Sequence, residues 1–437
     1  MKVAIETVDA VRRRLAVEVP EGEVTQEIER AYSNVRRTAN VRGFRQGRAP
    51  RAVLERMFGD QVRAEVFAKL IQASFRDALR EQNIEPVGEP EIVTERAEPG
   101  APLRYSVTVQ VKPTVEASGY AGLEVERPLR RVDDADVERV LTNLQDSLAQ
   151  LHPITDRAVA QPGDVATIDL VVRSGDRVVA QARDQLYTVG AREPDDGIGA
   201  HLEGMEVGSS REFVLDRPST APEPAADRAL AHHVALRALA RKELPPLDDE
   251  FAKDHGDCDT LDDLRRRIRA QLEAAAVADA DGAVRGTLID QLVQRHDFEV
   301  PRAMVEQRAA SLLEELFERM GPRRPTGERE AALRAQLRPE VEERARHQVK
   351  ASLVLEAIAR QEQLQVQDED VEAQINSLAE RAGNSRERVR ALYQEPGMRA
   401  SVKARLLQAR ALDVVVNGAH IRTIEAESSI AGREQNG

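Results

Sequence analysis

Residues capable of chemistry gather at a few places in the chain. Asp254, His255, Asp257, Cys258 and Asp259 put several possible metal donors close together. A structural zinc site draws on several thiolates or imidazoles; a single imidazole and a single thiol among carboxylates read instead as a solvated helix start. His232 and His233 are adjacent and, on a strand, point to opposite faces, so they do not share a metal. Gly197-Ile198-Gly199-Ala200-His201-Leu202 opens like a dinucleotide fingerprint, but Leu202 holds its sixth position and no βαβ pattern surrounds it. No P-loop, nucleophile elbow or HExxH is found. Nothing here calls for a metal or a cofactor.

The strongest local feature is Gly43-Phe44-Arg45-Gln46-Gly47-Arg48-Ala49-Pro50. Two glycines permit unusual dihedrals, a proline stands where a helix begins, and a phenylalanine lies between arginines. Between Arg36 and Arg56 there are seven arginines (36, 37, 42, 45, 48, 51 and 56) and one acid, Glu55, in a chain of net charge -13. The segment can be an ordinary wet loop. It can also be a contact for an anionic partner, with guanidinium forks on phosphates or carboxylates and Phe44 as an apolar anchor.

The elements that would position these residues follow from patterning. With 437 residues, 32% charged and 41% hydrophobic, the chain is long enough for two or three domains. The fold class expected is α+β and multidomain. Residues 1–112 read as strands at VAIETV and RRLAVEV, a helix through Val24, Ile28, Tyr32 and Val35, the loop, a second helix from Val53 to Phe75, and strands at PEIVTE and RYSVTVQV. Residues 133–151 read as a helix with Asp133 or Asp134 as its N-cap. From 156 to 243 the chain is rich in Gly, Pro and Val, with strands at VATIDLVV, DRVVAQ, REFVLD and HHVALRAL. After Pro245 and Pro246 the pattern is helical to the end, with a frayed last dozen residues. The lone helix before the β-rich segment needs the later helices to bury its apolar stripe, so the helical part is discontinuous. The domains expected are therefore 1–112, 113–155 (a linker and the first part of the helical domain), 156–243 and 244–437.

No apolar run nears the roughly 20 residues that span a bilayer, and acids interrupt the first residues where a signal peptide would be apolar. A cytoplasmic protein without a membrane partner is expected. The single cysteine excludes an intrachain disulfide.

GFRQGRAP between two helices of an α+β domain resembles the ribosome-binding signature of bacterial trigger factor, a chaperone that meets nascent chains at the tunnel exit. The resemblance extends to the order of N-terminal domain, linker helix, FKBP-type insert and helical C-terminal domain, and to Glu243-Leu244-Pro245 leading back into the helices. It implies an ATP-independent, partly ribosome-associated chaperone with Gly43, Phe44, Arg45, Gln46, Gly47, Arg48, Ala49 and Pro50 at the ribosome. Partners would be the ribosome (protein and RNA) and unfolded polypeptides, with a homodimer off the ribosome left open. Client candidates on one helix are Leu312, Leu313, Leu316, Phe317 and Met320, set among Glu314, Glu315, Glu318 and Arg319.

The resemblance also implies prolyl isomerase activity in the insert, which needs an apolar pocket walled by aromatic rings. Aligned on Gly190, Gly197, Gly204 and Gly208, the positions of those walls hold Leu170, Val179, Asp195, Asp196, Ile198 and His232. The pocket is thus expected to be degenerate and activity weak or absent. Two rival readings are a protein that is chiefly an FKBP-type isomerase and a basic-loop RNA-binding factor. Against the second, no aromatic ladder accompanies the arginines and the rest of the chain is acidic.

Overall fold

The computed structural model describes residues 1–42, 44–98, 100–175, 177–191, 197–216, 229–321 and 324–426. The chain divides into two compact units, one made of 1–127 with 281–424 and the other of 128–280 with 425–426.

In the first unit, β1 (Lys2–Thr7), β2 (Arg12–Val19), β3 (Pro86–Arg96) and β4 (Leu103–Val111) form an antiparallel sheet in the order β1-β2-β4-β3. Helices α1 (Glu21–Thr38) and α2 (Arg51–Glu81) cover one face. Strand alternation sends Leu15, Val17, Leu103, Tyr105 and Val107 to that face. Val24, Ile28 and Tyr32 of α1 meet them at a spacing of four, which keeps them on one helical stripe. The buried Tyr105 hydroxyl and Ser74 Oγ share a hydrogen bond at 2.6 Å, and Ser74 Oγ lies 2.6 Å from the Leu70 carbonyl oxygen. Each buried oxygen thereby finds a partner. Burial pushes the Tyr105 phenol above its ordinary pKa, against the Ser74 hydrogen bond.

The same unit holds the second half of α6 (Leu261–Arg295), α7 (Arg302–Arg319), α8 (Glu328–Gln361), α9 (Asp368–Arg381), α10 (Arg386–Leu392) and α11 (Pro396–Asn417). Leu288, Val354, Ile358 and Val415 are central to their core. Buried His296 is held in one tautomer. Its Nδ1–H donates to the Leu292 carbonyl at 2.7 Å and its Nε2 accepts from the Ser118 amide at 3.1 Å. The helical pattern does not run to the end: β11 (His420–Ala426) pairs with β5 (Glu124–Arg130). The chain enters that ribbon through the His420 amide, which donates to the Leu123 carbonyl at 2.7 Å.

In the second unit, α3 (Asp134–Ser147) starts at Asp133, whose side chain accepts from the Asp136 amide while Asp136 answers the Asp133 amide. This reciprocal cap satisfies two of the open helix donors. Val137 and Leu141 of α3 pack on Phe251 and Ala252 of α5 (Asp249–Gly256) and on Leu264 and Ile268 of α6. The β-rich part is a five-stranded antiparallel sheet. Here β10 (Ala229–Glu243) pairs along one side with β7 (Val165–Ser174), and β7 pairs with β8 (Arg177–Thr188). The other side of β10 is shared by β9 (Ser210–Asp216) and β6 (Gln150–Pro153). The helix expected over 133–151 therefore stops short, and its last residues become β6.

Candidate functional site

The loop between α1 and α2 is fixed at both ends by small apolar residues. Val41 and Ala49 are 3% and 4% exposed and belong to the core of the sheet and helices. The burial of Ala49 corrects its place among the contact residues: it anchors the loop and offers no surface. Between them the backbone turns on itself, with the Phe44 amide donating to the Val41 carbonyl at 3.0 Å and the Arg48 amide to the Arg45 carbonyl at 2.9 Å. Gly47 takes φ +79°, a left-handed conformation that favours glycine. Phe44 is 40% exposed, and Arg42, Arg45, Gln46, Arg48 and Pro50 are exposed around it. Gly43 lies outside the described residues.

The seven arginines are not equivalent. Arg36 donates to the Gly47 carbonyl at 3.0 Å, and Arg37 reaches Asn34 at 3.2 Å. Arg51 stacks 3.4 Å from the Tyr32 ring centroid while pairing with Glu55 at 2.7 Å and Glu29 at 3.3 Å. Arg36 thus fastens the loop to α1 and Arg51 ties α2 to α1, while Arg37 stays with its own helix. Among the described residues Arg42, Arg45 and Arg48 make no ion pair, so the tip presents free guanidinium groups around an exposed ring. A fork of that kind can bind phosphate or carboxylate oxygens bidentately.

The insert differs. Ile198 opens the short helix α4 (Ile198–His201) and is 1% exposed, and Leu170 on β7 is 8% exposed. Both belong to the insert's own core with Ile168, Leu202 and Leu236. Both of these positions, expected to be degenerate, thus hold core side chains. Val179, on β8, is 49% exposed and packs in no core. Asp195 and Asp196 lie outside the described residues. His232 is buried and stacks on Phe213, ring centroids 5.7 Å apart, and His201 stacks on the same ring at 4.2 Å. Phe213 and His201 were missed as ring partners; alternation along REFVLD was the available signal. Gly199 replaces the nucleotide reading with a packing reason. A Cβ there would lie 2.5 Å from the Thr188 carbonyl oxygen, so only glycine lets α4 approach β8.

The client candidates sit on α7 and just beyond it. Leu313 and Phe317 are 9% and 0% exposed. They are corrected to packing residues of the α7–α8 pair, while Leu312, Leu316 and Met320 are half-buried. Phe317 is covered by Arg334 and Arg324, 4.7 and 5.5 Å from its ring centroid. Glu314 and Glu330 each bridge both guanidinium groups at 2.8–3.0 Å. These arginines hold the two carboxyls below the ordinary range by hydrogen bonding and charge. Elsewhere, Cys258 Sγ donates to the Gly256 carbonyl at 3.1 Å. Among the described residues no group of three or more His, Cys, Asp or Glu is arranged to hold a metal, and no helix is long and apolar enough to cross a membrane.

Two family models match this chain: bacterial trigger factor protein over residues 1–144, and its C-terminus over residues 260–417. Trigger factor of Anaeromyxobacter sp. (strain Fw109-5) is 36% identical over 97% of this chain and 100% of its own length. Those of Anaeromyxobacter dehalogenans (34%, 97% and 100%) and Geobacter sp. strain M21 (32%, 90% and 91%) are similar too. Two matched spans, near-complete coverage of relatives above 30% identity, and a multidomain α+β architecture carrying the loop lead to one conclusion: the chain belongs to the bacterial trigger factor family, the ribosome-associated chaperones.

Proposed function

We infer that this chain shelters nascent polypeptides without ATP and docks on the ribosome through Phe44, Arg45 and Arg48, with Arg42 and Gln46 beside them. The observation that carries the reading is the exposed Phe44 among arginines free of ion pairs, on a backbone held by Val41 and Ala49. A desolvated ring supplies affinity, and guanidinium forks supply a salt-dependent attraction to phosphate-rich surface. Co-sedimentation of Phe44→Ala/Arg45→Ala with ribosomes tests it. Undiminished binding at physiological salt would overturn the assignment.

Half-buried Leu312, Leu316 and Met320 are the α7 residues offered to clients, since scattered apolar patches among charges bind many sequences weakly. The insert is a removable appendage with weak or no prolyl isomerase activity. Antiparallel pairing of Gln150 with Glu243 puts its two ends side by side, which favours a cut at 149/244 over one at 155/244. A chain lacking 150–243 should fold and still suppress aggregation of a denatured client. An unfolded product, or unchanged client aggregation, would refute this arrangement.

A further inference from the structure

The second half of α2 carries two apolar stripes. Val66, Leu70 and Ala78 are buried toward the sheet. Ala68, Ile71, Phe75 and Leu79 make another stripe at helical spacing, and together with Pro90 and Ile92 of β3 they line a groove of about 590 Å³. Its only polar lining residues are Gln72 and Arg76. Beside it, β3 ends the sheet and has no strand on its outer side among the described residues. Ile92 pairs with Val107, which places it on the α2 side, yet it is 43% exposed.

A free strand edge next to an apolar groove suits an extended peptide. Edge backbone groups pair with it, and alternate side chains enter the groove. Pro90 and the irregular pairing between Val87 and Glu91 interrupt the edge, and a second irregularity follows Thr94, which leaves Glu91–Thr94 as the open run. Charge on the β3 side is mostly negative, while α2 contributes Arg76 to the groove wall. Glu85, Glu89 and Glu95 are exposed and in no ion pair among the described residues, while Arg96 is taken by Glu98 at 3.2 Å.

We propose that the groove between α2 and β3 binds an extended apolar segment of an unfolded polypeptide flanked by Lys or Arg, added as a strand along Glu91–Thr94. The inference rests on the chaperone reading above and adds a second client surface to it. Ile71 lies about 30 Å along α2 from Arg51, at 1.5 Å per residue, so one helix would hold a client segment at a set distance from the loop.

The test uses the full chain and a fluorescein-labelled peptide of alternating Leu and Thr between terminal Lys pairs, followed by anisotropy. Ile92→Asp is expected to weaken binding about tenfold by putting a charge into the apolar site. Glu89→Gln/Glu95→Gln should weaken it about threefold, a loss that shrinks at high salt. Both sites are solvent-exposed, and the Gln pair carries the test if Ile92→Asp does not fold. Wild-type chain that fails to suppress client aggregation would sink the chaperone reading itself. If it suppresses aggregation while both variants bind the peptide as wild type does, only the groove assignment falls. An Ile92→Asp chain that changes only its self-association, with peptide binding intact, assigns the groove to a second copy and also overturns the proposal.

Discussion

The loop between α1 and α2 presents its one aromatic ring to solvent, whereas the β-rich insert packs its rings against its own core. In the loop, the small residues Val41 and Ala49 do the anchoring, and this leaves Phe44 free at 40% exposure. In the insert, Leu170 and Ile198 are consumed by the core, as are Ile168, Leu202 and Leu236. The difference follows from supply. The loop borrows a core built by two helices and four strands. The segment 156–243 must build its own with two phenyl or phenol rings, Tyr187 and Phe213. A small domain has little apolar surface to spare. With its one phenylalanine stacked between His201 and His232, the insert has half-buried Tyr187 as its other phenyl or phenol ring. Presenting a side chain thus depends on a surplus of packing elsewhere.

The contrast can be broken most forcefully at the loop. Phe44→Ala/Arg45→Ala should lose about 2 kcal/mol of ribosome affinity for each anchor, measured by sedimentation, while thermal unfolding stays unchanged. A drop in stability equal to the loss in affinity would make Phe44 a packing residue like Ile198. The reverse pattern is expected for Ile198→Ala. It should destabilise the insert by about 3 kcal/mol, read as faster amide exchange in β7 and β10, with no effect on ribosome binding. An insert unperturbed by that truncation would mean that Ile198 is presented after all.

A smaller effect sharpens the comparison through pH. Asp164 is buried, which opposes ionisation. Hydrogen bonds from Arg157 at 2.5 Å and the Gln161 amide at 2.8 Å outweigh this and hold its carboxyl below the ordinary value. Because the folded value is depressed, the stabilisation is present above the unfolded pKa and is lost as pH falls through the folded one. Asp164→Asn should cost about 1.5 kcal/mol at neutral pH and flatten the acid side of the insert's stability profile. An unaltered profile would show that other groups set it. The smallest change belongs to Val179→Ala on exposed β8, expected within about 0.5 kcal/mol in stability and without effect in a proline-peptide assay. Lost turnover in that variant would restore Val179 as a pocket wall and the insert as an active isomerase.

Much of the architecture was legible because periodicity is local. The spacing of Val24, Ile28 and Tyr32 specifies a helix face whatever it packs on. Asp133 announces a helix start through its own side chain. The loop was legible for a similar reason, since glycines, proline and clustered arginines mark an exposed turn without reference to distant residues. The ribbon of β5 and β11 was not. Its two strands lie nearly three hundred residues apart, and β11, largely exposed, carries no buried-face signal of its own.

By itself, the sequence determined where the chain is helical or extended, which stripe of each helix is apolar, and where unbalanced positive charge collects. Tertiary structure alone decided which apolar stripe acquires a partner. Phe317 lies on α7 beside Leu316, yet the Arg324–Arg334 cover closes over Phe317 and leaves Leu316 half-buried. It also decided which arginines remain free, because Arg36 and Arg51 find a carbonyl and a ring supplied by other segments, and Arg42, Arg45 and Arg48 do not. The physical reason is common to both cases. A side chain's type sets what it can bind, but burial and pairing are properties of two surfaces, and the second is brought up by the fold.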